Sequence, residues 1–292
     1  MRGEPVDAVP LMLEGFMHEN LNNVADPGKR EICARILDDT TYFHHVGAPC
    51  NRYLVTPPQF IREVEREESG DSVVVTKAIS TPKGDLIVIT GRNRVSETTW
   101  TLKYPCEDLE DIDKIRSTPS EPPTGFVPPV IKPEDLKDSF PRRGIVRSGV
   151  SSPFVCVAGM MSFEYFLELC ATEPDLIKEL TQQCFERVMA LLDCLLANEN
   201  IEFMWMGGSE WLTPPMGSPK LYEELVQTFE EPIIKRIHQA KAISHVHCHG
   251  NVRHALERMI ARGADFTEPV EPPPDGDITF DEIHWYGSHA ND

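Results

Sequence analysis

From Gly144 onward the chain alternates short apolar runs with helical ones, and this alternation restricts the fold more than any other feature. Residues 145–149 read as a strand and 163–170 as a helix, and Pro174 sits at the first-turn position of a second helix ending near residue 198. Ile201-Glu202-Phe203-Met204-Trp205-Met206 is the next strand, closed by Gly207-Gly208-Ser209-Glu210-Trp211. Residues 220–240 are helical, with an interruption or kink expected at Pro232. A strand over 243–248, a helix over 252–262 and a strand over 264–267 follow. A proline-rich acidic loop, 268–277, then leads into a helix from Ile278. Repeated βα units require parallel strands joined by right-handed crossovers.

The first half is of another texture. Residues 8–13 form an apolar run read as a first strand, Pro27 opens a helix over 28–37, and 40–44 is a second short strand. Runs at 73–76, 86–89 and 95–102, with a turn at 81–85, predict an antiparallel meander. Residues 108–133 are rich in proline and acidic side chains and read as a surface excursion with a short helix at 109–115; no internal repeat is found. The candidate barrel strands are therefore 8–13, 40–44, 145–149, 201–206, 243–248 and 264–267. The expected class is α/β, of the (β/α)8 TIM-barrel type, lacking its last two βα units. Residues 1–292 are read as one such domain, with 53–135 as the antiparallel β-meander and Pro-rich excursion within it. An open parallel edge would leave backbone donors and apolar surface unpaired. Either the polypeptide is a truncated product or a homo-oligomer covers the gap.

Composition narrows the partners. With 28 basic and 47 acidic residues the formal charge is -19, which argues against nucleic acid or an anionic membrane surface. No apolar run approaches the roughly 20 residues that span a bilayer, and the N-terminus lacks the apolar core of a signal peptide. The 8 cysteines are scattered without a C-x-x-C pair, which reads as reduced thiols in a cytoplasmic protein.

Metal-capable groups concentrate in one place, Ile243-Ser244-His245-Val246-His247-Cys248-His249-Gly250-Asn251. Strand alternation puts His245, His247 and His249 on one side and Val246 and Cys248 on the other. The imidazoles then arrive at the C-terminal end of a strand, where α/β proteins keep their chemistry. The alternative is that one or two of them merely bond to backbone in a core. Residues placed at C-terminal strand ends are Glu14, His44, Ser148, Glu210, His247, His249 and Glu268, a set that suits zinc or another borderline divalent ion. Glu210 lies in a loop that brings backbone close to whatever binds, or else simply caps a helix. Glu268 and Glu271 flank prolines that fix carboxylate direction, or else belong to a solvated acidic loop.

His245-Val246-His247-Cys248-His249-Gly250-Asn251, the run from Gly263 to Asp277 (Gly-Ala-Asp-Phe-Thr-Glu-Pro-Val-Glu-Pro-Pro-Pro-Asp-Gly-Asp) and Gly207-Gly208-Ser209-Glu210-Trp211-Leu212-Thr213-Pro214-Pro215-Met216 resemble the uroporphyrinogen decarboxylase (URO-D) superfamily. Within it they are most similar to the uncharacterised branch beside the zinc- and corrinoid-dependent methyltransferases. Asp7-Ala8-Val9-Pro10 is similar to that superfamily's first strand. The resemblance implies a (β/α)8 barrel and two activities. Cofactor-free decarboxylation of a tetrapyrrole uses an Arg-rich N-terminal motif, but Leu13-Glu14-Gly15-Phe16 stands there, and Arg142, Arg143 and Arg147 are the dense basic group available. The methyltransferase branch holds zinc through a His-x-Cys pair and a later cysteine; here His247-x-His249 occupies the pair's positions, with histidine replacing cysteine.

The first expectation is thus zinc-dependent methyl transfer or demethylation. The donor is a methyl-corrinoid on a partner protein or a methylated small molecule, and the acceptor a thiol or similar group. His247, His249 and Glu268 are the expected metal ligands, with Glu268 alternatively orienting them. Glu210 and Glu268 are the expected catalytic residues, and Ser148 and Glu14 the expected cofactor contacts. Uroporphyrinogen-type decarboxylation and an inactive scaffold are the alternatives.

Overall fold

The computed structural model describes residues 18–289 apart from 25, 41–42, 48–49, 51–52, 95–97, 121–144 and 198–199. The strand expected at 8–13, Glu14, Arg142 and Arg143 lie outside the described residues. Helix α1 (Pro27–Asp39) begins where Pro27 predicts, and the Asp26 carboxylate accepts the Lys29 amide at 2.6 Å. Strand β1 (Phe43–His45) follows.

The meander has four strands: β2 (Ile61–Ser69), β3 (Ser72–Thr81), β4 (Gly84–Asn93) and β5 (Thr99–Lys103), antiparallel in sequential order. Strand β2 escapes a search for apolar alternation, because Arg62-Glu63-Val64-Glu65-Arg66-Glu67-Glu68 is charged on both faces and nearly all exposed. Its backbone pairs with β3, and its charges pair locally, Arg62 with Asp85 at 2.6 Å and Arg66 with Glu63 at 2.9 Å. Such charge also discourages pairing of this edge with another chain. Helix α2 (Leu109–Arg116), capped by Asp108, packs against β4 of the meander and buries Ile112 and Ile115.

The second half contains β6 (Ile145–Ser151), α3 (Pro153–Ala158), α4 (Phe163–Thr172), α5 (Pro174–Leu196), β7 (Phe203–Gly207), α6 (Pro219–Tyr222), α7 (Thr228–Gln239), β8 (Ile243–His247), α8 (Arg253–Ala261), β9 (Phe266–Glu268) and α9 (Phe280–His289). The short α3 has too few residues to show a period and was not expected. The irregularity expected at Pro232 falls earlier: a π turn, Glu223–Gln227, joins α6 to α7, and Pro232 lies inside α7. The Thr228 hydroxyl donates to Glu223 O at 2.8 Å within that wide turn.

Strands β1, β6, β7, β8 and β9 form one sheet in that order, every neighbour parallel. Among the described residues this sheet is open and does not close into a barrel. Its register sorts side chains cleanly. Val146, Val150, Met204, Met206 and Val246 share one face with the buried Ser148 and join the main core with Leu191, Leu192 and Leu195 of α5 and Ile233, Ile234 and Ile237 of α7. Each such fully buried aliphatic side chain contributes roughly 1.5–3 kcal/mol. The opposite face carries Arg147, Gly149, Ser151, Phe203, Trp205, Gly207, His245, His247, Phe266 and Glu268. No helix among the described residues is long and apolar enough to cross a membrane, and the cysteines are not joined in disulfides.

At the start of α9 the Glu282 carboxylate accepts from the Thr279 amide and hydroxyl, both at 2.8 Å, a capping box that fits the helix expected from Ile278. Arg253, 2.9 Å away, and these two donors hold the Glu282 carboxyl down to about 2. A carboxyl with a lowered folded-state pKa stabilises the fold above its unfolded value and stops doing so as pH falls through the folded one. Carbon-detected NMR titration should therefore give a Glu282 midpoint near 2, with Thr279→Ala moving it upward.

Candidate functional site

Two rows of inward residues cross the sheet near the C-terminal strand ends. Gly149, Trp205, His245 and Phe266 lie side by side, and one step higher stand Ser151, Gly207, His247 and Glu268. Trp205 leaves its own row because two neighbours lack side chains. A Cβ at position 207 would come within 2.4 Å of the indole, and one at position 149 within 3.3 Å. The ring therefore lies over Gly207 and against Gly149, and its N–H reaches Glu268 Oε1 at 3.3 Å.

The same carboxylate oxygen collects the imidazoles. His247 Nδ1 lies 2.8 Å and His245 Nε2 3.2 Å from Glu268 Oε1. Burial opposes ionisation of Glu268, but the His247 hydrogen bond, the neighbouring imidazoles and the indole N–H hold its carboxyl below the usual range. His245 is fully buried between Phe203 and Phe266, whereas His247 is partly open to the rim.

His249 repeats the motif beyond the end of β8. Its Nδ1 lies 3.1 Å from Glu271 Oε1, and the Gly250 amide donates to Glu271 Oε2 at 2.6 Å. That amide first, and then His249, hold Glu271 below the usual carboxylate range. The acidic loop is seated by a close approach, since a Cβ on Gly276 would come within 2.0 Å of the Glu271 carbonyl oxygen. The rings of His247 and His249 are 4.6 Å apart and nearly perpendicular. Among the described residues neither ring's Nε2 has a hydrogen-bond partner.

Glu210 stands in a 3-10 turn (Ser209–Leu212) directly after β7. Burial pushes its carboxyl up, partly opposed by its own backbone amide and by His247 and His249 nearby, and Oε2 is buried without a hydrogen-bond partner. Cys248 turns to the helix side, where burial pushes its thiol up to about 12 and keeps it protonated.

Of the residues expected at the site, His247, His249, Glu210 and Glu268 are brought together. Ser148 is not: it is fully buried on the helix side and donates to Val46 O at 2.7 Å, while Gly149 and Ser151 face inward. The parity of β1 likewise puts His45, not His44, on the inward side. Trp205 went unread because an indole within the apolar run 203–206 looks like core. A Ser-His-Asp grouping at the other end of β8 is structural. Ser244 Oγ, buried, donates to Asp265 Oδ2 at 2.9 Å, and His238 Nε2 lies 2.8 Å from that same oxygen, so no hydroxyl is aimed at a substrate.

Two imidazoles and a carboxylate with free lone pairs are donors that zinc accepts. Among the described residues no group of three or more His, Cys, Asp or Glu side chains stands close enough to hold a metal ion as it lies. The fit is therefore one of donor chemistry and orientation, since a carboxylate on the remote ring nitrogen is how ligating histidines are held.

A parallel α/β sheet with its polar side chains at the C-terminal strand ends is the build of proteins that work at that edge. The family can be stated: the sequence model of the uroporphyrinogen decarboxylase (URO-D) family matches residues 95–268, well over half of the chain, and the chain belongs to that family. Among solved structures it is similar to a methyltransferase from Methanosarcina mazei, with 14% sequence identity and a TM-score of 0.37, over 43% of this chain. The match spans 36% of that protein's chain. No curated protein matches.

Proposed function

We propose that this chain is an enzyme of the URO-D superfamily that works at the His247–His249 rim, and that its reaction is zinc-dependent methyl transfer or demethylation. The methyl group comes from a corrinoid on a partner protein or from a small methylated molecule, and the acceptor is a thiol or similar group. The observation that carries this reading is that each imidazole has its own carboxylate on Nδ1, Glu268 for His247 and Glu271 for His249. This leaves both Nε2 atoms as lone-pair donors, the second-sphere arrangement expected of metal-ligating histidines.

His247 and His249 would hold the metal through Nε2, with Glu210, whose Oε2 has no hydrogen-bond partner among the described residues, completing the donor set. Bound zinc supplies Lewis acidity, lowering the pKa of a thiol or water beside it. The chain's own residues do the positioning. Glu268 fixes the ring of His247 and anchors Trp205, and Glu271 fixes His249 to the Gly250 amide. In this reading Glu268 is an orienting residue, its Oε1 already shared by three nitrogens. The parallel strands with two inward rows are read as part of a (β/α)8 cylinder.

Decarboxylation of a polycarboxylate tetrapyrrole is the less supported reading. It needs convergent guanidiniums, and the described Arg147 lies with its guanidinium carbon 4.5 Å over the Phe43 ring. Metal analysis of the purified full chain should find about one zinc per chain, lost in His247→Ala and in His249→Ala. Folded protein without zinc, or zinc retained in the His247→Ala/His249→Ala double variant, would overturn the reading.

A further inference from the structure

A cavity of about 300 Å³ opens at the C-terminal ends of β1 and β6, beneath the turn at residues 53–56. Trp205, Val55, Val188 and Leu191 supply apolar walls, so the indole that binds Glu268 at the rim also lines this cavity. Two thiols, Cys50 and Cys156, face it, and His45 and Ser151 are its hydrogen-bonding side chains. None of the described lining residues is an acid, a lysine or an arginine. Burial pushes the Cys50 thiol up to about 11, so that group stays neutral as well.

Size and charge together decide what fits. A cavity of about 150 Å³ lined by aliphatic and aromatic side chains takes benzene, so this one has room for one substituted ring or two fused ones. A tetrapyrrole bearing many carboxylates needs guanidinium partners that the described walls do not supply. The turn over the cavity is held in an unusual backbone state. Leu54 and Val55 have φ of 48° and 49°, the left-handed region that is uncommon for any L-residue and rare for a β-branched one. Arg187 fastens it, donating to Leu54 O at 3.0 Å and to Thr118 O at 2.6 Å. Strain of this kind persists where surrounding structure over-determines it, and it gathers at ligand clamps.

We propose that this cavity seats a small uncharged aromatic molecule of one or two rings, stacked on Trp205 and oriented by a hydrogen bond to His45 or Ser151. The role of that molecule as the small-molecule participant in methyl transfer rests on the function proposed above; its chemical class rests on the cavity alone.

The test is saturation-transfer NMR and calorimetry on the full chain, with 4-methylphenol as probe and benzoate and uroporphyrin as charged comparators. Binding of 4-methylphenol is expected, about tenfold weaker in Trp205→Ala and largely restored in Trp205→Phe, as loss and return of an aromatic contact require. Cys50→Phe, which fills the cavity without touching the rim, should abolish binding. Failure of 4-methylphenol to bind the wild-type chain, equal binding by Trp205→Ala and Cys50→Phe, or displacement by uroporphyrin would overturn the proposal. Zinc measured on the same samples separates the two readings. Binding of 4-methylphenol without zinc supports the pocket and sinks the metal reading, whereas zinc without such binding sinks the pocket alone.

Discussion

Replacing Arg262 by Met or Glu230 by Gln is expected to lower the unfolding free energy by about 3–5 kcal/mol, a large part of the roughly 5–15 kcal/mol that holds a domain together. Both side chains are almost wholly buried, with Nη2 of Arg262 2.5 Å from Oε2 of Glu230. Removing one partner leaves the other charge without compensation away from water, and that penalty is what the measurement reads. The approach is close but off the hydrogen-bonding direction, and Arg262 Nε has no partner among the described residues. The pair is therefore a poorly optimised one. The double variant Arg262→Met/Glu230→Leu should recover most of the loss, because an apolar pair of similar volume often equals or exceeds a buried ion pair. Urea unfolding of the three variants checks this; single variants within about 1 kcal/mol of wild type would contradict it.

That pair also links architecture to the site. Arg262 follows α8, Glu230 belongs to α7, and Gln227 of the π turn accepts from Arg262 Nη1 at 3.1 Å. The two helices flank β8 in sequence, so the pair fixes the elements on either side of the strand that delivers His247. An extra residue in the turn rotates the helix ahead of Pro232, and a second contact, Arg258 Nη1 to Glu223 Oε1 at 2.8 Å, spans the same gap. Pro232 was the visible feature in the sequence. The π turn was not, because it depends on which partner α8 offers across the interface.

The parallel strands were readable because alternation with helices needs only hydrophobic pattern and punctuation, both local. What failed was parity. Reading β6 as ending at Gly149 put Ser148 at its functional tip. The strand runs to Ser151, and a period of two then sends Ser148 under the helices. The same one-residue error chose His44 over His45. The rim was legible where three imidazoles shared a strand face. The partners that fix them were only half legible, since Glu268 and Glu271 are drawn to His247 and His249 across 21 and 22 residues of chain. The role of Trp205 depends on glycines from two strands, a relation that no window of sequence contains. Strand β2 was invisible for a simpler reason: a charged edge buries almost nothing, so it leaves no hydrophobic signature.

Glu268→Gln is the substitution expected to act most strongly on function, weakening zinc binding and activity by about 10- to 100-fold while leaving the fold intact. The carboxylate oxygen now accepts from the Trp205 indole N–H and braces His247 Nδ1, with His245 Nε2 close by. A neutral amide oxygen carries no charge and accepts more weakly, so it holds these three nitrogens together less firmly. His247 then loses the bond that selects its tautomer and aims its Nε2, and the indole loses its anchor over Gly207. The second effect separates orientation from direct ligation. In metal-free protein the Trp205 indole N–H resonance should shift in Glu268→Gln and stay unchanged in His249→Ala, whose ring is braced by Glu271 instead. If Glu268 were simply a metal ligand, the indole signal would be insensitive to the substitution until metal was added. An unmoved indole resonance, together with wild-type zinc affinity, would show that one carboxylate oxygen does not organise this rim.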